Sequence, residues 1–218
     1  MYSKVAVFVD WDNIRYLLQS IKRTHRVIDT FDFNDPHHLT ELFRSFLEED
    51  ETIYRIFFYT AQPLTDDEIR AQLKKRDQKA FDHYTRTRTH SVYDIAMNFL
   101  DGMIREPYIA LRLGVLKVRG IKHNGSPDMV QKQVDMLMGL DISEVTFNKH
   151  AQKILVFSKD TDMKPALKMA RINGLEVIVA NFTEMDYLAK ELVLHSDLVR
   201  IRSLEEIDRK VKDDVVPF

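Results

Sequence analysis

The sequence predicts an α/β fold of three layers, in which a mostly parallel, doubly wound sheet of the Rossmann-like type lies between two layers of helices. Two short segments, 5–9 and 154–157, are apolar at every position, as expected of parallel strands buried on both faces. Residues 155–179 form a compact strand–helix–strand pattern, which is typical of parallel sheets. The length of 218 residues and the 44% apolar content are enough for one large core.

Hydrophobic spacing and capping residues predict the individual elements. The first strand, 5–9, is followed by a helix over 13–21 whose apolar residues recur every three or four positions. Thr65 and Glu68 have the spacing of a capping box, and Ser91 is a helix N-cap residue. We further expect strands over 53–59, 108–119, 154–157, 176–180 and 198–201, and helices over 39–47, 65–84, 91–104, 126–140, 165–172 and 183–194.

The chain organisation predicted from these elements is a single domain over residues 1–210. Helical insertions are expected at about 24–50 and 61–105, and a C-terminal tail at 211–218. We expect the insertions to shape a substrate groove or a homodimer contact.

The composition excludes several classes of protein. There is no cysteine, which excludes disulfides and thiolate metal sites, and no apolar run long enough to cross a membrane. We therefore expect a cytoplasmic protein with no membrane partner. The formal net charge of −2 gives no overall basic field that would attract nucleic acid.

The segment 70–90 differs from this average because it is locally basic. It contains seven Lys and Arg residues against Asp77 and Asp82, with Phe81 and Tyr84 among them. Such a segment can follow a phosphate backbone and stack bases, but it is equally typical of a solvated helix face.

Acidic side chains follow two of the predicted strands. Asp10, Asp12 and Asn13 come at the end of the first strand, and Asp160 and Asp162 follow the strand at 154–157. Open α/β sheets bind ligands at the carboxyl ends of their strands. Because gathered carboxylates repel each other, such a site usually holds a cation, here Mg²⁺ or Mn²⁺.

Other roles for these acids are open at this stage. A strand-end Asp often caps the next helix, although Asp12 or Asn13 could fill that role in place of Asp10. One member of the pair Asp160 and Asp162 could cap the helix that begins near residue 163. A further acid, Asp135, lies within a predicted helix with apolar neighbours, where it is either solvated or directed at the same edge of the sheet.

Three segments resemble, in this order, the motifs of NYN-domain proteins, the LabA-like members of the PIN-like nuclease superfamily. They are residues 8–14 (FVDWDNI), 132–135 (KQVD) and 157–163 (FSKDTDM), and weaker similarity is found at 55–59 and 192–198. The resemblance covers roughly residues 3–203. It implies a metal-dependent ribonuclease with a PIN-like fold.

The resemblance also implies roles for individual residues. The catalytic set would be Asp10, Asn13, Asp135, Asp160 and Asp162. Of these, Asp10, Asp135 and Asp160 would hold one Mg²⁺ or Mn²⁺, and Asp162 and Asp12 would orient the attacking water or join the shell of a second metal. The RNA backbone would be held by Lys132, Lys159, Arg86 and Arg88.

The sequence departs from the family pattern at a few positions. Asp12 and Gln133 stand where a glycine is common, Lys159 replaces a small residue, and Met163 stands where an aromatic residue is frequent. Lys159 could contact phosphate or weaken the site.

Two other functions are compatible with the sequence. A haloacid-dehalogenase-like phosphatase also begins with an apolar strand and an Asp-x-Asp motif, here Asp10 to Asp12, and Thr60 would be its second motif. The residue Asn13 departs from that pattern.

A catalytically idle RNA-binding or scaffold protein would keep the same fold without turnover.

Overall fold

The computed structural model describes residues 2–24, 31–185 and 188–214, with the side chains of 210–214 excepted. These residues form seven strands and nine α-helices. In chain order they are β1 (Ser3–Asp10), α1 (Trp11–Thr24), α2 (Pro36–Arg44), β2 (Glu51–Gln62), α3 (Asp66–Gln72), α4 (Lys75–Thr87), α5 (Val92–Met103), β3 (Ile109–Ile121), β4 (Pro127–Lys132), α6 (Val134–Phe147), β5 (Lys153–Phe157), α7 (Lys164–Ile172), β6 (Glu176–Phe182), α8 (Lys190–Leu194), β7 (Leu198–Arg202) and α9 (Leu204–Asp214), with a 3₁₀ turn at Thr161–Met163 before α7.

The seven strands form one mixed sheet in the order β4-β3-β2-β1-β5-β6-β7. All neighbouring strands are parallel except β4, which pairs antiparallel with β3. The chain winds outward from β1 to β3 and then returns to build β5 to β7 on the other side of β1. The strand order therefore reverses between β1 and β5, and this switch point is where doubly wound sheets form a ligand crevice.

Alternate residues of the central strands face two separate cores. Val5, Val7 and Val9 pack with residues of α1, α2, α5 and α9 on one face of the sheet. Ala6 and Phe8 pack with residues of α6, α7 and α8 on the other face. The predicted three-layer α/β/α fold with a mostly parallel sheet is confirmed.

The predicted helix over 126–140 is wrong in its first half. Residues Pro127–Lys132 form strand β4, and the helix begins only at Val134. The residue between them, Gln133, has φ of 75°, a left-handed conformation that costs a residue with a Cβ roughly 1–2 kcal/mol. Residues 127–132 form a strand because their backbone groups pair with those of β3.

The predicted long helix over 65–84 is in fact two helices. Its capping box at Thr65 and Glu68 is confirmed, but the chain becomes extended at Leu73 and Lys74 before α4 begins. The break lets Leu73 turn inward and share a small core with Phe81. This core also includes Ile69 and contacts residues of β3 and β4, so α3, α4 and the β3–β4 hairpin form one lobe, here called the hairpin lobe.

Other boundaries differ less from expectation. Ser91 caps α5 as predicted, and Ile95 of this helix is 56% exposed. Only Lys190–Leu194 is helical in the described part of 183–194, since residues 186–187 lie outside it. Helix α9 extends to Asp214, into the segment predicted as a tail, and residues 215–218 are outside the described residues. No helix of the described chain is long and apolar enough to cross a membrane.

Candidate active site

The acidic residues that follow the two apolar strands lie at the switch point of the sheet. Asp10 is the last residue of β1 and only 6% exposed. Its strand pairs directly with β5, which ends at Phe157 and leads into Ser158, Asp160 and Asp162. Strand pairing therefore places the two acid-bearing strand ends side by side, as the sequence predicted.

Hydrogen bonds tie these two strand ends together. Asp10 accepts a hydrogen bond from the hydroxyl of Ser158 (3.5 Å) and one from the backbone N–H of Asn13 (3.4 Å). The Asn13 side-chain oxygen in turn accepts the backbone N–H of Lys159 (3.1 Å). Asp10 itself therefore binds the first turn of α1, contrary to the expectation that Asp12 or Asn13 would leave it free of that role.

Asp160 is the capping member of the second acidic pair. Its Oδ1 accepts the backbone N–H of Asp162 (2.8 Å), and its own N–H donates to the Ser158 hydroxyl (3.0 Å). Asp162 is exposed. The Ser158 hydroxyl thus contacts both Asp10 and Asp160, a link that the sequence motifs did not predict.

Asp135 completes the acidic cluster from a third element. It is the second residue of α6, which packs on the face of the sheet that also receives Ala6 and Phe8. Desolvation and the negative charges of Asp160 and Asp162 raise the pKa of Asp135. The structure therefore brings the helical acid within electrostatic range of the strand-end acids.

Asp10 is the most strongly perturbed of these carboxyl groups. Its burial and the charges of Asp135, Asp12 and Asp160 raise the pKa of Asp10 to about 7, although the Asn13 N–H opposes the shift. Burial also raises the pKa of Asp12, with Arg15 opposing. The carboxylates around Asp10 therefore disfavour its ionised form, and a cation bound among them would offset this repulsion.

The donor set fits a hard divalent cation in its chemistry and its position, since all the side chains are oxygen donors at one sheet edge. In their present orientations, however, no three His, Cys, Asp or Glu residues of the described chain are arranged to hold one ion together. Mg²⁺ commonly binds through only one or two carboxylates and keeps several of its waters. The cluster can therefore serve such an ion without three direct carboxylate ligands.

The four predicted substrate-binding cations fall into two groups. Lys132, the last residue of β4, and Lys159, which follows β5, lie next to segments that carry the acids. Burial lowers the pKa of Lys159. Arg86 and Arg88 belong to the end of α4 in the hairpin lobe, where Arg86 is exposed but Arg88 is held in an ion pair with Asp66.

One polar residue at this edge was missed by the sequence analysis. Asn181, near the end of β6, is 7% exposed, and its side-chain oxygen has no hydrogen-bond partner within the described residues. The register pairs Val156 with Val179, so Ser158 and Asn181 occupy corresponding positions on adjacent strands. The sequence signal that could have identified Asn181 is a polar residue directly after the apolar run 177–180. Asn181 adds an oxygen donor on the Ser158 side of the cluster.

The fold and the acidic cluster together define a class of protein. It is a Rossmann-like α/β protein with a carboxylate cluster at the switch point of its sheet. The model of the NYN domain family matches residues 4–201, and the chain belongs to that family. The NYN domain is a PIN-like nuclease domain whose members are typically ribonucleases and generally use divalent metals.

Two further comparisons add little to this assignment. A search of curated proteins found no significant match. One solved structure, of a protein of unknown function from Vibrio parahaemolyticus, is 15% identical over 94% of this chain and 95% of its own, with a TM-score of 0.48.

The raised pKa of Asp10 predicts a pH-dependent effect on the stability of the metal-free protein. Because the folded pKa of about 7 lies above the ordinary value of 3.8, folding favours the protonated carboxyl, and stability is lost as pH rises through 7. Asp10→Asn, which is neutral at all pH values, should therefore raise the melting temperature more at pH 8 than at pH 5. Thermal unfolding in a chelator measures this, and an equal effect at both pH values would contradict it.

Proposed function

We propose that this protein is a metal-dependent ribonuclease that hydrolyses phosphodiester bonds of RNA at the acidic cluster. The observation that carries the proposal is the convergence of Asp10, Asp135 and Asp160 from three separate elements at the switch point. Burial and neighbouring carboxylates raise the pKa of Asp10 and of Asp135. Carboxyl groups perturbed in this way concentrate at functional sites. Membership of the NYN family supports the same conclusion.

In this proposal Asp10, Asp135 and Asp160 hold Mg²⁺ or Mn²⁺, directly or through water, while Asp162 and Asp12 orient the attacking water. When bound, the cation would lower the pKa of a water molecule and offset the charge that develops on the phosphate. The hydroxyl of Ser158 fixes Asp10 and Asp160 relative to each other. We add Asn181, whose unpartnered side-chain oxygen can accept a hydrogen bond from a water molecule bound to the metal.

Neighbouring residues of the chain would orient the scissile phosphate. The side-chain oxygen of Asn13 is already occupied by the N–H of Lys159, which leaves its amide N–H groups for a phosphate or carboxylate oxygen. The ammonium groups of Lys159 and Lys132 are suited to phosphate oxygens next to the acids. Because burial lowers the pKa of Lys159, this residue regains favourable surroundings when an anion binds beside it.

The hairpin lobe supports RNA as the substrate. Its segments 66–87 and 109–132 carry 11 Lys and Arg against 6 Asp and Glu, a net charge of +5 in a chain whose total is −2. Lys75, Lys79 and Arg86 of α4 are exposed, as are Lys117 and Lys122 of the adjoining hairpin. Folding thus joins two basic segments into one surface, as expected of a protein that binds a phosphate backbone. Arg88 is left out of this role because Asp66 already pairs with it.

The experiment that tests the function is cleavage of labelled RNA by purified protein with Mn²⁺, with Mg²⁺ and with a chelator. We expect cleavage with either metal, no cleavage in the chelator, and recovery when Mn²⁺ is returned in excess. Cleavage that persists in the chelator would contradict a metal-dependent reaction.

The same assay distinguishes the ribonuclease from the second candidate function, that of a catalytically idle RNA-binding protein. Its supporting observation is that the cluster has no preformed group of three metal-holding side chains within the described residues. RNA binding of equal affinity with and without Mn²⁺, and no turnover, would favour it. The phosphatase alternative loses support, because Thr60 lies on the α5 side of the sheet whereas Asp10 shares the α6 side with Ser158.

A further inference from the structure

A cavity of about 140 Å³ adjoins the acidic cluster on the opposite face of the sheet. It lies between the start of α1, the end of β2 and helix α5, and is here called the Trp11 pocket after the indole that lines it. Asp12 lines the pocket and is also one of the charges acting on Asp10. A single RNA strand that crosses this sheet edge would therefore meet both features.

The walls of the Trp11 pocket are planar and apolar. The ring of Trp11 is stacked on Phe99 (centroids 5.6 Å apart, planes at 20°), and both residues line the cavity. At the mouth, Val92 and Ile95 of α5 are 50% and 56% exposed. Trp11 is 3% exposed, so a ligand that enters the cavity would contact the edge of its ring together with Phe99, Val92 and Ile95.

The pocket also contains a largely buried hydroxyl and several charged or polar groups at its rim. Thr60 is 8% exposed, lines the cavity, and its hydroxyl makes no hydrogen bond within the described chain. The rim carries the carboxylate of Asp12, the guanidinium of Arg15 and the amide of Asn34. Donors and acceptors around an aromatic floor suit a flat ring with polar edges better than an aliphatic ligand.

We infer that the Trp11 pocket binds one unstacked nucleobase of the RNA while the adjoining phosphate lies at the acidic cluster. The occupant is taken as an RNA base because of the proposed ribonuclease function, on which this inference rests. The cavity is small compared with pockets for drug-sized ligands, which span roughly 300–1,000 Å³. Proteins that bind single-stranded RNA use aromatic side chains for such bases.

The test uses the chain's single tryptophan as a reporter. Each of the four ribonucleosides is titrated into the full-length Asp160→Asn variant in a chelator, so that no cleavage occurs, and Trp11 fluorescence is recorded. We expect saturable quenching by at least one nucleoside and none by ribose 5-phosphate. Quenching by ribose 5-phosphate, or equal quenching by toluene, would overturn the inference.

A filling substitution supplies the second arm. Ala96 lines the pocket, and Ala96→Leu in the same background should weaken nucleoside binding by about tenfold, a loss within the range for base–aromatic stacking. Asn98→Leu adds the same side chain to an exposed position of α5 and should change nothing. Thermal unfolding of both variants checks that they fold. If Ala96→Leu folds and binds nucleosides as tightly as before, the base binds elsewhere and the inference fails.

The two proposals can fail separately. RNA cleavage by the wild-type protein with no quenching by any nucleoside would remove the base pocket and leave the ribonuclease. Pocket-dependent quenching in a protein that never cleaves RNA would support the pocket and remove the ribonuclease. In a protein that does both, Ala96→Leu should raise KM for RNA by about tenfold.

Discussion

Asp10→Asn should lower the rate of Mn²⁺-dependent RNA cleavage by at least about 100-fold, the scale of loss seen when a dominant electrostatic contact to a transition state is removed. The substitution keeps the size of the side chain, but it removes the charge at the centre of the cluster and replaces one of the two accepting oxygens with an NH₂ donor. Asp160→Asn should have a comparable effect. Single-turnover cleavage of labelled RNA at saturating protein measures the loss.

A matched control lies at the opposite edge of the sheet. Asp50 is exposed, precedes β2 at the amino end of the strands, and supplies only its backbone oxygen to Ser3. Asp50→Asn should therefore cleave RNA at the wild-type rate. Equal cleavage by all four proteins would identify a contaminating nuclease and remove the proposed mechanism. If excess Mn²⁺ restores the cleavage rate of Asp10→Asn, the main role of Asp10 is to bind the metal.

Arg200→Met should lower the free energy of unfolding by about 3 kcal/mol, because it removes one of the two cations that pair with the buried carboxylate of Glu51 and leaves Lys153 (2.9 Å) to offset its charge alone. Arg200 is 5% exposed and donates to both carboxylate oxygens of Glu51 (2.7 and 3.0 Å) and to the backbone oxygen of Phe46 (2.6 Å). The Glu51 side chain is completely buried. Denaturant unfolding measures the change.

The control for this prediction is Arg202→Met, two residues along the same strand. Arg202 pairs with Glu48, whose side chain is 51% exposed, and an exposed pair contributes at most about 1 kcal/mol. Losses of equal size for the two variants would contradict the argument from burial.

The effect of Arg200→Met should also depend on pH. Burial alone would raise the pKa of Glu51, but hydrogen bonds from Arg200, the N–H of Glu48 and Lys153 outweigh it and lower that pKa to about 2. The ordinary value is 4.5, so the contribution of the ionised carboxylate is complete above that pH and is lost as pH falls through 2. The difference between wild type and variant should therefore shrink between pH 5 and pH 2.

The sequence by itself determined the class of fold and the centre of the candidate site. Segments 5–9 and 154–157 are apolar at every position, as expected of parallel strands buried on both faces. Since parallel strands end at one edge, the acids that follow them were expected at the same edge of the sheet, and the pairing of β1 with β5 then made them neighbours. Family membership was also readable from the ordered motifs, two of which lie at these strand ends and the third at the start of α6.

Other features were decided by contacts between distant segments. Residues 127–132 are a strand because β3 offers a partner, although a Pro after Ser126 is equally suited to start a helix. The helix over 65–84 breaks because Leu73 gains burial against residues far along the chain. Local spacing contains no information about such partners, so it could not predict these elements.

The same limit applies to the site. Asp10 and Asp160 could be read from the sequence, but their bridge through Ser158, the unpartnered oxygen of Asn181 and the Trp11 pocket depend on strand register and helix packing. Sequence patterns indicated the two buried central strands and the acids that follow them, because a continuous apolar run and the residues after it are local features. Only the tertiary structure decided which polar groups meet, because that depends on pairings between residues separated by up to 148 positions.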